Sequence, residues 1–325
     1  MSVGNHLRQA IRKVLVNGGC GFIGSTVVRD LLDRSFEVVV LDDLSTGTRT
    51  HLDGLDLELI EGSVLDDDSV YQAIQGVNAV IHLAALTKVV SALELTETEY
   101  EINVGGTLKL LKASVDVGIE RFVLASSMAV LGELPSPVHE GMIPVPLSSY
   151  GASKLSCEGY CAAFSRTYGL STVALRFANA YGPYSTHKET VISRFLGLIE
   201  GRQSVPVYGD GQHTRDYVHV SDVSAGILQA LENQEAAGVI HIGTGTETSV
   251  AELISILERT TGLPVSIEYR PARTEEIIRN YTSISKAQAL LGFCPRIEVE
   301  RGVADCWDWF QETGCFHQGV RGTSL

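Results

Sequence analysis

The chain lacks any apolar run approaching the ~20 residues that a membrane-crossing helix needs, which excludes a helical membrane anchor from the reading. Positive charge is also scarce. Lys and Arg total 25 against 39 Asp and Glu, and the net charge of −14 argues against nucleic acid or an anionic membrane surface as a partner. An acidic protein that binds a phosphorylated ligand must do so with local arginines and helix ends, so individual Arg residues become informative. The six cysteines (Cys20, Cys157, Cys161, Cys294, Cys306 and Cys315) show no paired metal-ligand spacing and read as reduced thiols of a cytoplasmic protein. Cys157 and Cys161, four apart on an expected helix, are assigned to packing rather than to a metal. Met1 to Lys13 contains Arg8, Arg12 and Lys13 but no apolar segment, so it is not a secretory signal; residues 1–12 are expected to form a flexible tail. No internal repeat, low-complexity tract or long linker is present, and 325 residues suffice for two unequal lobes.

What the chain does have is concentrated in Val14-Leu15-Val16-Asn17-Gly18-Gly19-Cys20-Gly21-Phe22-Ile23-Gly24. A short apolar run reads as a buried strand, the glycine cluster as a tight turn, and Ser25 to Leu32 as the start of a helix. Both Gly19-x-Gly21-x-x-Gly24 and Gly18-x-x-Gly21-x-x-Gly24 fit a dinucleotide-binding turn, in which glycines admit a pyrophosphate and the helix aims unpaired N–H groups at it. A second apolar run, Glu37 to Leu41, ends in Asp42, 18 residues beyond Gly24, where an acceptor for ribose hydroxyls belongs. Asp42 would repel a 2′-phosphate, so the cofactor is read as NAD rather than NADP. A Gly-rich structural turn in some other doubly wound protein is the competing reading.

Strands are expected at Leu57–Gly62, Ala79–Ala85, Arg121–Ser127 and Ser171–Phe177, with helices at Asp66–Ile74 and Thr96–Val117 between them. Ser63 and Val64 could flank an adenine, and Leu83-Ala84-Ala85 is small enough for a cofactor to pass close above it. His82 fits a packed core histidine better than a catalyst. Ligands of open α/β sheets bind outside the carboxyl ends of strands, so Ser126 and Ser127 are candidates to touch a reacting group, with capping of the next turn as the alternative. Tyr150 and Lys154 lie four apart on one face of a helix running to about Tyr168. A nearby ammonium favours phenolate, making Tyr150 a candidate general base. Near Asn179 the α/β rhythm breaks, and a second lobe is expected over 179–217 and 244–325. The first then spans 13–178, with about 218–243 interleaved as its last helix and strand. Arg270 and Arg273 sit in a turn-prone stretch that by itself reads as surface charge.

Taken in order, these segments resemble the extended short-chain dehydrogenase/reductase family, specifically the NAD-dependent nucleotide-sugar epimerases and dehydratases typified by UDP-glucose 4-epimerase. The resemblance spans residues 13 to about 312. It rests on Gly18–Gly24, Asp42-Asp43-Leu44-Ser45-Thr46-Gly47, His82–Ala85, Tyr150–Lys154, Asn179-Ala180-Tyr181-Gly182-Pro183 and Arg215–Val220. It implies a Rossmann-type doubly wound parallel sheet with a smaller C-terminal α/β substrate domain. Tyr150 would be the base, Lys154 would hold the nicotinamide ribose and tune Tyr150, and Ser127 would bond the reacting hydroxyl. NAD would be held by Gly18, Gly21, Phe22, Ile23, Gly24, the 42–47 loop, Ser63, Val64, Leu83, Ala84, Ala85 and Phe177. Asn179, Thr190, Val191, Val207, Tyr208, Arg215, Arg273 and Glu276 would bind a UDP- or dTDP-linked sugar, which lifts Arg273 from surface charge to ligand. A homodimer is implied, its helices Thr96–Val117 and Tyr150–Tyr168 pairing across a two-fold.

Departures from the family pattern narrow the chemistry. Met128-Ala129 stands where dehydratases carry an Asp-Glu pair, and an apolar pair cannot shuttle the proton of water elimination. Leu131 replaces a customary Tyr, Ser63 an Asp, Thr190 an Asn and Glu275 a Gly, while Asn280 occupies a place where the family varies residue size beside the sugar. The expected reaction is therefore 4-epimerisation, with reduction of a 4-keto sugar as the alternative.

Overall fold

The structure, a computed structural model, describes residues 11–87, 96–185, 190–272 and 277–314. Its frame is a seven-stranded parallel sheet: β1 (Lys13–Asn17), β2 (Glu37–Asp42), β3 (Glu58–Glu61), β4 (Ala79–His82), β5 (Arg121–Ser127), β6 (Ser171–Phe177) and β11 (Gly238–Ile242). The order across it is β3-β2-β1-β4-β5-β6-β11, so the winding reverses between β1 and β4 and opens a crevice at their carboxyl ends. Val14–Val16, Val38–Leu41 and Ala79–Ile81 are buried continuously rather than alternately, as a sheet covered on both faces requires.

One face is covered by α1 (Phe22–Asp33) and α7 (Val220–Glu232), the other by α2 (Asp67–Ile74), α4 (Gly106–Val117) and α5 (Ser149–Tyr168). The expected helix Thr96–Val117 exists but is not uniform. It runs as α3 (Thr96–Tyr100), a π turn at Glu101–Gly105 and then α4. The wide turn lets Asn103 reach outward from the helix. A separate apolar cluster joins α6 (Val191–Glu200), β8 (Val205–Tyr208), α8 (Val250–Thr261) and α10 (Val299–Thr313). Short ladders complete this region: β7 (Asn179–Tyr181) with β10 (Tyr217–His219), β9 (Thr214–Arg215) with β12 (Thr248–Ser249) and β14 (Arg279–Asn280), and β8 with β13 (Ile267–Arg270).

Two details differ from the sequence reading. Helix α9 (Ser285–Leu291), expected in the second lobe, seats Ala287 in the cluster beside α7 and β11, because its apolar face matches that side of the sheet. At the amino end, Ile11 packs against the sheet core and the Arg12 N–H donates to Asn78, so the chain is already held two residues before β1; residues 1–10 lie outside those described, as do 315–325. Cys157 and Cys161 are core residues, as read from the sequence. No described helix is long and apolar enough to cross a membrane.

His82 is fully buried, with Nδ1 against Asn17 Oδ1 at 2.8 Å and Nε2 against Thr107 Oγ1 at 2.9 Å. Burial pushes its pKa down to about 3, and burial does the same to His241. An unfolded histidine titrates near 6.5, so the unfolded chain binds more protons between pH 3 and 6.5, and this contribution to stability, complete above pH 6.5, is lost as pH falls. Unfolding at pH 5.5 is expected to cost about 1 kcal/mol less per histidine than at pH 7.5. Denaturant melts at the two pH values, with His82→Gln as control, check this.

Candidate active site

The glycine turn closes where β1 meets β4. Gly18 has φ +85°, and a Cβ there would lie 2.6 Å from the Ala84 nitrogen; one on Gly24 would lie 2.1 Å from the Gly18 carbonyl oxygen. Both positions exclude any side chain. The Leu83 and Ala84 N–H groups donate to the Asn17 carbonyl, which pins the end of β4 against the turn. Helix α1 has Gly21 at its N-cap position, with no side-chain cap and no acidic residue in its first turn, so its positive end is left for an anion. Phe22 and Gly24 are buried, and Ile23 packs partly against the sheet core.

Asp42 ends β2 and is 8% exposed. Its Oδ2 accepts the Cys20 N–H and its Oδ1 the Leu44 N–H, each at 2.9 Å. Burial raises its pKa, and those two hydrogen bonds pull it back. A carboxylate offers about four lone-pair sites, so capacity remains for ribose hydroxyls. The loop beyond is built by Asp43, whose Oδ1 accepts from Ser45 N and Oγ, by Leu44 at φ +58°, by exposed Thr46, and by Gly47, where a Cβ would meet the Cys20 carbonyl carbon at 2.7 Å. Ser63 Oγ accepts the Leu65 N–H, and Val64 is buried under α4 at Gly106. The glycine turn, the end of β4 and Asp42 with its loop thus meet at the carboxyl edge of the sheet, and the shape, donor set and bare helix end fit a dinucleotide.

At the next strand ends the structure separates the two serines. Ser126 turns inward and donates to Glu158, which holds Arg176 through Nε at 2.8 Å and Nη2 at 2.7 Å. It is a structural residue, which corrects its candidacy for the reacting group. Ser127 points the other way, toward Tyr150, whose pKa it lowers, and its oxygen accepts the Ala129 N–H at 3.1 Å, so the capping role holds as well. Lys154 is 2% exposed, donates to the Ala125 carbonyl at 2.9 Å, and lies 5.9 Å from the Tyr150 ring centroid. Burial pushes the Tyr150 phenol up to about 12; the Ser127 hydrogen bond opposes this, and Cys157 and Glu99 add to it. Burial lowers the Lys154 pKa, while Cys157, Cys161, Glu158 and Glu99 raise it. Phe177 ends β6 opposite Ser127.

In the second region Arg215 Nη1 donates to the Thr214 and Ile277 carbonyls at 2.8 and 2.7 Å, which fixes the arm of the side chain. Asn280 pairs with it across the β9–β14 ladder. Tyr208 is half-buried beside Arg270, whose guanidinium lies 6.0 Å from its ring. The Val207 side chain belongs to the apolar cluster and is buried. Asn179 is exposed, its amide donating to the Asp216 carbonyl; Thr190 caps α6 through the Ser193 N–H, and Val191 is 41% exposed beside it. Arg273 and Glu276 lie outside the described residues.

Residues 14–243 match the profile of the NAD dependent epimerase/dehydratase family. The chain belongs to this family. A Methanocaldococcus jannaschii protein provisionally named UDP-glucose 4-epimerase is 36% identical over 304 residues, covering 92% of this chain and 98% of its own. Two solved UDP-glucose 4-epimerases superpose over nearly their whole length. That of Thermotoga maritima with UDP-glucose gives a TM-score of 0.87 at 33% identity, covering 93% of this chain and 99% of its own. That of Thermus thermophilus in complex with NAD gives 0.86 at 33%, covering 92% and 99%.

Several residues that organise this family member's site escaped the sequence reading. Asp216 is 1% exposed; its Oδ1 accepts from Thr244 N and Oγ1, and its Oδ2 from the Gly245 and Thr282 N–H groups. It joins three segments distant in sequence directly behind Arg215. Asp216→Ala would strand those donors and is expected to cost about 3 kcal/mol in denaturant unfolding. His51 Nδ1 meets the Cys20 carbonyl at 3.1 Å, and its ring stands edge-on to Tyr184, which also carries Arg29 at 4.7 Å from its centroid. Asn103 and Glu99, considered below, are the others. Only the Asp next to Arg215 had a signal in the sequence, its place in Arg215-Asp216-Tyr217.

Proposed function

We propose that the protein is an NAD-dependent nucleotide-sugar 4-epimerase of the UDP-hexose type. The observation that carries this is the convergence of Ser127, Tyr150 and Lys154 at the sheet edge that also bears the glycine turn, with apolar Met128-Ala129 where an eliminating enzyme would need an acid. Tyr150 Oη takes the proton of the sugar's 4-hydroxyl and later gives it back. Ser127 bonds the same oxygen, and Lys154, 5.9 Å from the Tyr150 ring centroid, places a positive charge beside the phenol. When bound, NAD accepts the C4 hydride and returns it, so no external reductant is consumed. Arg215 and Arg273 grip the diphosphate while the 4-keto sugar turns over between the two transfers. Arginine suits this because its planar fork matches phosphate oxygens.

Division into an NAD lobe over 13–178 and 218–243 and a substrate lobe over 179–217 and 244–325 follows the same reading, with α9 of the second lobe packed against the first. It is supported by the separate apolar cluster around α6, α8 and α10. We also propose a cytoplasmic homodimer. Ala152, Ser156, Gly159 and Ala163 form an exposed stripe of small side chains on α5, flanked by exposed Tyr100 and Tyr160, which lets a second pair of helices approach closely. Light scattering at micromolar concentration reads the oligomer. For the reaction, the purified protein is incubated with UDP-glucose, UDP-N-acetylglucosamine and UDP-glucuronate and followed by NMR. Appearance of a 4-epimer supports the reading, and no conversion of any of them overturns it.

A further inference from the structure

Glu99 is a carboxylate where an apolar side chain would be expected. It sits on α3, is 3% exposed, and has no Lys, Arg or His within ion-pair distance among the described residues. Burying a lone carboxylate is costly unless its lone pairs are filled. Here Ser149 Oγ donates to Oε2 at 2.8 Å and Ser153 Oγ to Oε1 at 3.2 Å. Both serines belong to the first turns of α5, whose positive dipole end adds stabilisation. Those same turns carry Tyr150. Ser153 shares its single hydroxyl proton between Glu99 and the Tyr150 carbonyl, the latter at 2.9 Å, and accepts from Asn103 Nδ2 at 3.0 Å, and Asn103 in turn holds the Leu86 main chain through both polar atoms. One hydrogen-bonded chain thus runs from Glu99, past the catalytic tyrosine, to the segment that leaves β4 beside the glycine turn.

We propose that Glu99 is a positioning residue for the Tyr150–Lys154 pair, fixing the first turn of α5 and placing its carboxylate behind the phenol and the ammonium. This rests on the epimerase reading for its kinetic consequence, though not for its electrostatic one. The other charged or titratable groups around the pair are Cys157, Cys161 and Glu158 on α5, Arg176 on β6, which is neutralised by Glu158, and His82 on β4, which stays neutral. Glu99 is therefore the one charge in this set contributed by α3. Its charge opposes phenolate and favours ammonium, so it moves both titrations to higher pH.

Glu99→Gln keeps an acceptor for the serines and loses the charge, whereas Glu99→Leu loses both. Both limbs of the pH profile of kcat are expected to move to lower pH in each variant by about half to one unit, about three- to tenfold in rate at a fixed pH on the acidic limb. In Glu99→Leu the plateau is also expected to fall, by about tenfold, with KM for the nucleotide sugar nearly unchanged. A second readout needs no turnover. The near-ultraviolet phenolate titration of NAD-loaded protein, taken as the difference against Tyr150→Phe in the same background, should show the Tyr150 midpoint displaced downward in both variants. Superimposed profiles and midpoints, with or without a lower melting temperature, would make Glu99 a structural brace only and overturn the proposal. Absence of epimerase activity would leave the phenolate midpoint to decide it alone.

Discussion

Tyr150→Phe is expected to lower kcat by about 10³- to 10⁴-fold while leaving NAD and nucleotide-sugar binding within a few-fold of the parent. General acid–base transfer contributes about 10²- to 10⁴-fold, and here one phenol must serve in both directions of the reaction. The substitution removes only an oxygen. Tyr150 is half-buried, and the neighbours that hold its helix, Ser148 as N-cap and the Ser149 and Ser153 bonds to Glu99, do not use its hydroxyl. The fold should therefore persist, and circular dichroism together with calorimetric titration of the nucleotide sugar would separate a chemical defect from a binding one. A variant retaining more than a tenth of parental turnover would remove Tyr150 from the mechanism.

Gly24→Ala should abolish cofactor retention. The new Cβ would lie 2.1 Å from the Gly18 oxygen, 2.7 Å from Gly19 Cα and 2.9 Å from the Gly18 carbonyl carbon, all main-chain atoms that cannot swing aside. The turn must open, and it also carries Gly18 against Ala84 and Cys20 against Asp42, so both the pyrophosphate cradle and the ribose acceptor move. A loss of at least 10²-fold in NAD affinity is expected, equivalent to about 3 kcal/mol. Cofactor absorbance carried through gel filtration, with calorimetry on the apoprotein, measures it. Gly21→Ala is the internal comparison. Its Cβ would stand 3.4 Å from the Gly18 oxygen, which the turn tolerates, so that any loss there reports contact with the cofactor rather than collapse of the turn.

The legible parts of this protein were those in which local chemistry has a short sequence period. Apolar runs followed by glycine or small residues gave the strand ends, and four-residue spacing put Tyr150 and Lys154 on one helix face. The illegible parts were buried polar groups whose partners lie far along the chain: Asp216 with Thr282, Asn103 with Leu86, Glu99 with Ser149, and Arg121 with Ala230. A polar residue inside a helix or strand pattern carries no mark of whether it faces solvent or a hydroxyl 50 residues away. The uneven helix at Glu101–Gly105 was hidden for a related reason, since Asn103 inside it bonds Leu86 and Ser153, 17 and 50 residues away.

The amino-acid order alone determined that a parallel sheet would form, that its first turn would admit no side chain at Gly18 or Gly24, that a carboxylate would follow the second strand, and that a phenol and an ammonium would share a helix face. Each is a matter of bonding geometry within a few residues. Packing decided the rest. Alternation along a strand requires Ser126 and Ser127 to face opposite ways, but only the seating of α5 and the Glu158–Arg176 pair made Ser127 the one beside Tyr150. Likewise only the docking of α3 on α5 turned Glu99 from a surface charge into a buried one, because burial is a property of what lies opposite a residue in space.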